Sequence, residues 1–200
     1  MQRLLEGYRA FRAKRWPYEK QHYEELAEGQ RPKTLIIACC DSRVDPATIF
    51  DARPGELFII RNVANLVPPY SLDGGLRGTS AAVEFAVRKL EVETILVLGH
   101  AQCGGCMAAL DHTIGQDMVF LRPWVALLEP ALERCAHEAD PLTALERESV
   151  KVSLENLRAF PFIADAMRDR GLKLEGARFG VADGRLEILD WAAGAFQFVT

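Results

Sequence analysis

The stretch ETILVLGH, residues 93–100, is the clearest strand signal in the sequence. It is short and nearly all apolar, which is typical of a strand covered on both faces of a sheet. Two similar runs precede it, TLIIAC at 34–39 and ELFIIRN at 56–62, and the segment TSAAVEFAVRKL at 79–90 lies between the second and the third. That segment has helical apolar spacing and starts with Thr79, which we expect to cap the helix. Buried strands alternating with helices predict right-handed crossovers and a parallel sheet.

The rest of the chain is mostly helical in pattern. Helices are predicted at 1–28 (interrupted near Pro17), 104–112, 122–136, 143–159 and 161–170. Two strand-like segments, LEGARFGVA and RLEILD, follow at 174–182 and 185–190, joined by the turn signal Asp183-Gly184, and can add an antiparallel element to the sheet edge.

Together these segments predict one α/β domain over residues 1–200. Its mainly parallel central sheet is flanked by helices and carries an N-terminal helical arm and a C-terminal strand extension. The arm spans 1–28, the core with the chemistry-bearing residues spans 30–110, and the remaining helices and strands span 111–200.

Composition excludes several classes of function. The 24 basic and 28 acidic residues give a net charge of −4, so nucleic-acid binding has no electrostatic support. No apolar run approaches the roughly 20 residues that span a bilayer, and the charged N-terminus lacks the apolar core of a signal peptide. We therefore expect a cytoplasmic protein with no nucleic-acid or membrane partner.

The cysteines support two incompatible interpretations. There are five, Cys39, Cys40, Cys103, Cys106 and Cys135, and an odd number without a secretion signal argues against a disulfide framework. The stretch GHAQCGGC at 99–106 contains an H-x-x-C, whose spacing suits two ligands of one metal. It also contains a C-x-x-C, the spacing of a redox dithiol, at the start of a predicted helix.

The ends of two predicted strands favour the metal interpretation. The first strand ends at Cys39 and the third at His100, with Cys103 close behind, and ligands bind beyond the carboxyl ends of parallel strands. Two thiolates and one imidazole suit zinc, and three protein ligands leave a fourth position open, as in catalytic sites. Asp41 and Arg43 share a face with Cys39 if the segment is extended, so a carboxylate held by a guanidinium can orient a hydroxide on the metal.

The redox interpretation explains fewer residues. A redox dithiol of Cys103 and Cys106 does not explain the presence of His100, Cys39 and the Asp41–Arg43 pair. The two glycines between the thiols also differ from the bulky or proline residue familiar in redox C-x-x-C motifs. This interpretation stays open as an alternative of a different class.

Four motifs resemble the β-class carbonic anhydrases. They are ACCDSRVDP at 38–46, FIIRNVANLVPPY at 58–70, GTSAAVEFAV at 78–87 and GHAQCGG at 99–105, and RNVANLVPPY is similar to the plant-type branch. The match is close over about residues 30–110 and loose over the N-terminal arm and the C-terminal strands. The combination of C-x-D-S-R with H-x-x-C-G-G carries most of its specificity.

The resemblance implies a carbonic anhydrase with one zinc per chain, held by Cys39, His100 and Cys103. Asp41 and Arg43 would form the dyad that orients zinc-bound hydroxide for attack on carbon dioxide, giving bicarbonate and a proton. The residues implied for the substrate pocket are Gln30, Phe58, Val63, Phe85 and Gly104. The family fold further implies a homodimer or a higher oligomer such as a tetramer, with the N-terminal arm reaching over a neighbour.

Several positions depart from the family pattern without touching the implied ligands or dyad. Phe85 stands where the plant-type branch often has Tyr, which removes a hydroxyl from the pocket. Cys40 occupies a variable position that is often Ser, and Cys106 replaces a usual aliphatic residue. The same site could also hydrolyse carbonyl sulfide or carbon disulfide, while an intact Asp41 and Arg43 argue against a zinc-stabilised binding module without turnover.

Overall fold

The computed structural model describes residues 1–73 and 75–199. The chain divides into two compact units, Met1–Arg31 and Pro32–Thr200. The first unit consists of helices α1 (Gln2–Lys14) and α2 (Trp16–Ala27), and no residue of either helix is buried.

The break between the two N-terminal helices follows from proline chemistry. Pro17 lies in the first turn of α2, where its missing N–H has no intrahelical partner to lose. Within this unit the rings of Phe11, Trp16 and Tyr23 pack against one another.

The larger unit is built on a mixed sheet. Its described strands are β1 (Thr34–Cys39), β2 (Leu57–Asn62), β3 (Thr94–His100), β4 (Lys173–Phe179), β5 (Leu186–Asp190) and β6 (Ala195–Phe198). Their order across the sheet is β2-β1-β3-β4-β5-β6. The first four strands are parallel, and β5 and β6 add antiparallel pairs at one edge. The predicted α/β fold, with a mainly parallel sheet and a C-terminal strand extension, is confirmed.

Helices flank this sheet. They are α3 (Pro46–Ile49), α4 (Gly78–Arg88), α5 (Gly104–Leu110), α6 (Leu121–Val125), α7 (Glu129–Cys135), α8 (Pro141–Arg158) and α9 (Pro161–Arg170). None of the helices in the described ranges combines the length and the apolar character needed to cross a membrane.

Two local predictions are wrong for identifiable reasons. The continuous helix predicted over 122–136 is divided by a 3₁₀ turn at Ala126–Leu128. Pro130, in the first turn of α7, has no N–H group and cannot donate a hydrogen bond to the preceding turn. Thr79 does not cap α4, which begins at Gly78 after Arg77. The Thr79 hydroxyl instead accepts a hydrogen bond of 3.2 Å from the side-chain amide of Asn62, at the end of β2.

Helix α8 lies very close to the middle of the sheet. A Cβ atom on Gly99 of β3 would come within 2.8 Å of the Val150 side chain, and one on Gly176 of β4 would meet Val150 at the same distance. Glycine at both positions lets α8 approach β3 and β4, and Val150 is fully buried there. This contact fixes the position of α8 on the sheet, next to the carboxyl end of β3.

Candidate metal centre

The carboxyl ends of β1 and β3 carry three potential metal ligands. The two strands are parallel neighbours, so Cys39 and His100, their last residues, reach the same edge of the sheet. Cys103 follows three residues later, directly before α5. The structure thus brings together the three residues that the strand-edge argument pairs from distant parts of the sequence.

The geometry of these side chains suits zinc. The sulfurs of Cys39 and Cys103 are 4.0 Å apart, and the candidate ligand atoms of all three buried residues lie within 4.8 Å of one another. Zinc–sulfur bonds of about 2.3 Å at the tetrahedral angle separate two sulfurs by about 3.8 Å. The donor set and its spacing therefore fit the ion.

The histidine is also oriented for a metal. Its Nδ1 lies 2.9 Å from the carbonyl oxygen of Ala101, a contact in which a protonated Nδ1 donates. Its Nε2 is buried and has no hydrogen-bond partner among the described residues. A buried nitrogen without a partner is costly, and coordination of an ion by Nε2 would remove that cost.

The thiols need a cation to ionise. The contact with Cys103, together with burial, raises the pKa of Cys39 to about 12. The contact with Cys106, together with burial, raises the pKa of Cys103 to about 12. At neutral pH both thiols of the metal-free protein therefore keep their protons, which a bound metal ion would displace.

Asp41 and Arg43 form a two-pronged ion pair beside these candidate ligands. Arg43 donates from Nε to Oδ1 at 2.9 Å and from Nη2 to Oδ2 at 2.7 Å, and its main-chain N–H also donates to Oδ1. These hydrogen bonds hold the pKa of Asp41 well below its usual range. Nη2 of Arg43 also donates to the carbonyl oxygen of Gln102 at 2.9 Å, which links the pair to the segment between His100 and Cys103.

Arg61 holds the segment after β1, and the sequence interpretation missed it. Its guanidinium donates to the carbonyl oxygens of Cys39, Asp41 and Val44 at 2.9, 2.6 and 2.7 Å. The available signal was a charged residue near the end of an otherwise apolar strand. The partners of that charge lie 17 to 22 residues away and have no local signature.

A buried charge network under Cys103 was missed as well. Glu146 is 1% exposed and lies on the apolar face of α8, and its Oε1 accepts the main-chain N–H of Cys103 at 3.1 Å. Arg178 of β4 donates to Oε2 of Glu146 and to Glu187 of β5, and Glu187 also pairs with Arg147. A carboxylate within a buried helical stripe was the available signal, since such residues are rarely buried without a partner.

The residues predicted for the substrate pocket fall into three places. Val63 lies beside the metal centre, since a Cβ on Gly105 would approach its side chain to 2.9 Å. A Cβ on the neighbouring Gly104 would meet no described atom within 4 Å. Close packing therefore requires glycine at position 105 but not at position 104. Phe58 and Phe85 stack on each other with ring centroids 5.9 Å apart.

That aromatic pair is displaced from the ligands along the strands. Phe58 pairs with Leu35, whereas Cys39 pairs with Asn62, four positions farther along β2. Four residues of strand span about 13 Å. Gln30 belongs to the N-terminal unit.

Comparisons with known proteins agree with this geometry. The family model described as carbonic anhydrase matches residues 34–186. Beta carbonic anhydrase 5, chloroplastic, of Arabidopsis thaliana is 38% identical over 199 residues, which cover 95% of this chain and 65% of that relative. The chain thus spans slightly less than two thirds of the chloroplastic relative's length.

Solved structures show the same similarity in three dimensions. The β-carbonic anhydrase CcaA aligns with a TM-score of 0.92 at 31% identity, covering 100% of this chain and 92% of that chain. One of two tetrameric β-carbonic anhydrases from Sordaria macrospora aligns with a TM-score of 0.83 at 29% identity, covering 98% of each chain. Since the motifs, the family model and the fold agree over most of its length, the chain belongs to the β-class carbonic anhydrase family.

Proposed function

We propose that the protein catalyses the reversible hydration of carbon dioxide to bicarbonate and a proton, with one zinc ion per chain held by Cys39, His100 and Cys103. The observation that carries this proposal is the buried cluster of two thiols and an imidazole, whose Nε2 has no hydrogen-bond partner in the described part of the chain, in a protein of this family. When bound, zinc in such a site lowers the pKa of a water molecule in its open fourth position.

Asp41 and Arg43 act as the orienting pair in this proposal. Arg43 keeps Asp41 ionised, so the carboxylate is an acceptor at every ordinary pH. Oδ1 already accepts two N–H groups of Arg43, whereas Oδ2 accepts one and keeps a further lone pair, which can accept an O–H group. An O–H held in this way turns the lone pair of the attacking oxygen toward the carbon of carbon dioxide, which lowers the entropic part of the barrier.

The substrate pocket is proposed to be mostly apolar, as suits a small uncharged molecule. Val63 and Gly104 lie next to the metal ligands and would form its inner wall. Phe58 lies about 13 Å along β2 from the position level with Cys39. Phe85 of α4 stacks on Phe58, so we propose that this pair serves the site of a neighbouring copy. A substrate contact by Gln30 stays a prediction from the family resemblance.

The proposed assembly is a homodimer or a larger oligomer such as a tetramer. Tetrameric relatives from Sordaria macrospora share the fold over nearly the whole chain, which supports a tetramer here. We propose a cytoplasmic location, because five free cysteines suit a reducing compartment.

The alternative activities gain no support from the described residues. The same centre could attack carbonyl sulfide or carbon disulfide, but no feature of the described pocket selects either molecule over carbon dioxide. In the dithiol alternative Cys106 would exchange electrons, yet its side chain is 1% exposed and packs within an apolar cluster.

A combined measurement tests the proposed function. Purified protein is analysed for zinc per chain and assayed by stopped-flow for hydration of carbon dioxide, with carbonyl sulfide and carbon disulfide tested in parallel. We expect about one zinc per chain and fast hydration of carbon dioxide. A zinc-loaded protein that hydrolyses either sulfur compound faster than it hydrates carbon dioxide would overturn the proposed substrate.

A further inference from the structure

One peptide group connects the two halves of the metal centre. The carbonyl oxygen of Gln102 accepts from Nη2 of Arg43 at 2.9 Å, and the N–H of Cys103 donates to Oε1 of Glu146 at 3.1 Å. These two groups belong to the same peptide unit. It is therefore held from the Asp41 side by a guanidinium and from the interior by a buried carboxylate.

The backbone at this peptide needs such support. Gln102 has φ of +56°, in the left-handed region that costs free energy for a residue with a side chain. This conformation places the peptide between His100 and Cys103, and any relaxation would move the Cys103 sulfur relative to the other two ligands. Strain of this kind persists only where surrounding contacts fix the backbone.

The carboxylate is itself held rigidly. Oε2 of Glu146 accepts two N–H groups of Arg178 at 2.9 and 2.7 Å, so Oε1 alone faces the N–H of Cys103. Arg178 is 8% exposed, and its other arm donates to Glu187 at 3.2 Å. Because α8 is fixed against β3 and β4 at Gly99 and Gly176, Glu146 cannot follow a moving Cys103.

We propose that Glu146 is a positioning residue of the metal centre. It acts through the main-chain N–H of Cys103 and sets the place of that ligand's sulfur, and through the same peptide it sets the position of Arg43. This inference rests on the proposed function only in taking Cys103 as a zinc ligand. It predicts that loss of the acceptor at position 146 speeds the release of zinc, even where the buried charges remain balanced.

A matched pair of double variants isolates the acceptor. Glu146→Gln with Arg178→Met removes both buried charges but leaves an amide oxygen that can face the N–H of Cys103. Glu146→Met with Arg178→Met has nearly the same shape and charge but offers no acceptor. In both variants Glu187 keeps its ion pair with Arg147, whose Nε lies 2.8 Å from Oε2.

The readout is the rate at which zinc-loaded protein transfers its metal to an excess of chelator, supported by the visible spectrum of the cobalt-substituted protein. We expect the Gln/Met variant to release zinc at nearly the wild-type rate and to keep the wild-type cobalt spectrum. The Met/Met variant should release zinc about 10- to 100-fold faster and show a shifted spectrum, the usual effect of losing a group that supports a ligand. Equal release rates in the two variants would overturn the proposal.

A third variant covers the case in which the Met/Met protein does not fold. The single change Glu146→Gln leaves one acceptor oxygen for two sets of donors. The buried guanidinium of Arg178 attracts that oxygen more strongly than a neutral N–H does, so the NH₂ group faces Cys103. We expect fast zinc release from this single variant and recovery on adding Arg178→Met, and absence of recovery would contradict the proposal. A wild-type protein without zinc would instead refute the proposed function, before any variant is compared.

Discussion

The two strand ends that carry the proposed metal ligands are held in different ways. The segment after β1 is held by Arg61, which donates to three carbonyl oxygens along it. The segment after β3 is held by the buried carboxylate of Glu146, which accepts a single N–H. If Arg61 is replaced, water can hydrate the carbonyl groups that it leaves. Glu146, in contrast, belongs to a network of charges that are almost inaccessible to water.

In the proposed site, the residues that bind the metal therefore differ from the residues that hold those ligands in position. Cys39, His100 and Cys103 are set by short motifs at strand ends, whereas both anchors come from other elements, 22 and 43 residues away. Changing a ligand should abolish metal binding, changing the orienting pair should spare the metal but slow the reaction, and changing an anchor should loosen the centre by degrees. The predictions below test this order.

The largest effect is expected from Cys103→Ser. Serine is a much poorer zinc ligand than a thiolate, and two remaining ligands do not retain the ion, so the purified variant should contain almost no zinc and hydrate carbon dioxide no faster than buffer. Metal analysis and the stopped-flow assay measure both quantities. Full activity in a metal-free Cys103→Ser protein would contradict the zinc assignment.

Cys106→Ser is the matched control for that change. It alters the other thiol of the C-x-x-C by the same single atom, in an equally buried position. The metal interpretation expects zinc content and hydration close to wild type. The dithiol interpretation expects loss of function, so this variant decides between the two overlapping motifs.

The next largest effect is expected from acidification. The contact between the two thiols and their burial raise the pKa of Cys39 to about 12, and the pKa of Cys103 is also raised to about 12. Since a raised thiol pKa favours the protonated form, zinc must displace two thiol protons, and its apparent affinity should fall about 100-fold for each unit that the pH drops while the imidazole of His100 stays neutral. Competition with a chelator of known affinity at several pH values measures this slope, and a flat profile would show that the thiols are not ligands.

A smaller effect, on the reaction alone, is expected from Asp41→Ala. The carboxylate lies beside the ligands without belonging to the buried cluster, so zinc should stay bound while hydration slows by about 10- to 100-fold. Asp45→Ala is a suitable control. Asp45 is a carboxylate in the same segment that caps α3 through the N–H of Thr48, and its loss should cost about 1 kcal/mol of stability without slowing the reaction. Hydration at the wild-type rate in Asp41→Ala would remove the dyad from the proposal.

The sequence predicts the strands, and through them the grouping of the three candidate ligands, because the strand signals are local patterns. The run at 34–39 coincides with β1, since a short and nearly all apolar run is typical of a strand that is covered on both faces. The cluster of Cys39, His100 and Cys103 then follows from the rule that parallel strands end at one edge. Strand β6 was not predicted, because its four residues are mostly exposed and lack the alternating burial by which a strand is recognised.

The anchors could not be predicted from the sequence. Glu146 interrupts an otherwise apolar and small-residue stripe on α8. The residues near it in the sequence do not indicate that Arg178 and the N–H of Cys103 are its partners. Arg61 likewise donates hydrogen bonds to main-chain carbonyl oxygens. Every residue has such an oxygen, so no sequence motif indicates which ones Arg61 binds. Contacts between a side chain and a distant main chain therefore become visible only once the elements are placed.

The smallest effect is expected from Arg61→Met, and Arg170→Met is its matched control. Each of these arginines donates to three main-chain carbonyl oxygens. Arg170 donates to those of Val87, Glu91 and Val92, at or just after the C-terminal end of α4. Each substitution should lower the free energy of unfolding by about 1 kcal/mol, as expected for lost hydrogen bonds from a partly hydrated charged group.

Only Arg61→Met should also speed zinc release, by about tenfold, because only Arg61 holds the segment that carries Cys39 and Asp41. Release rates measured at equal stability, adjusted with a mild denaturant, isolate this local effect. Equal release from both variants would mean that the segment after β1 keeps its shape without Arg61. The strand end itself, rather than its anchor, would then position Cys39, and the contrast with Glu146 at the end of β3 would become sharper.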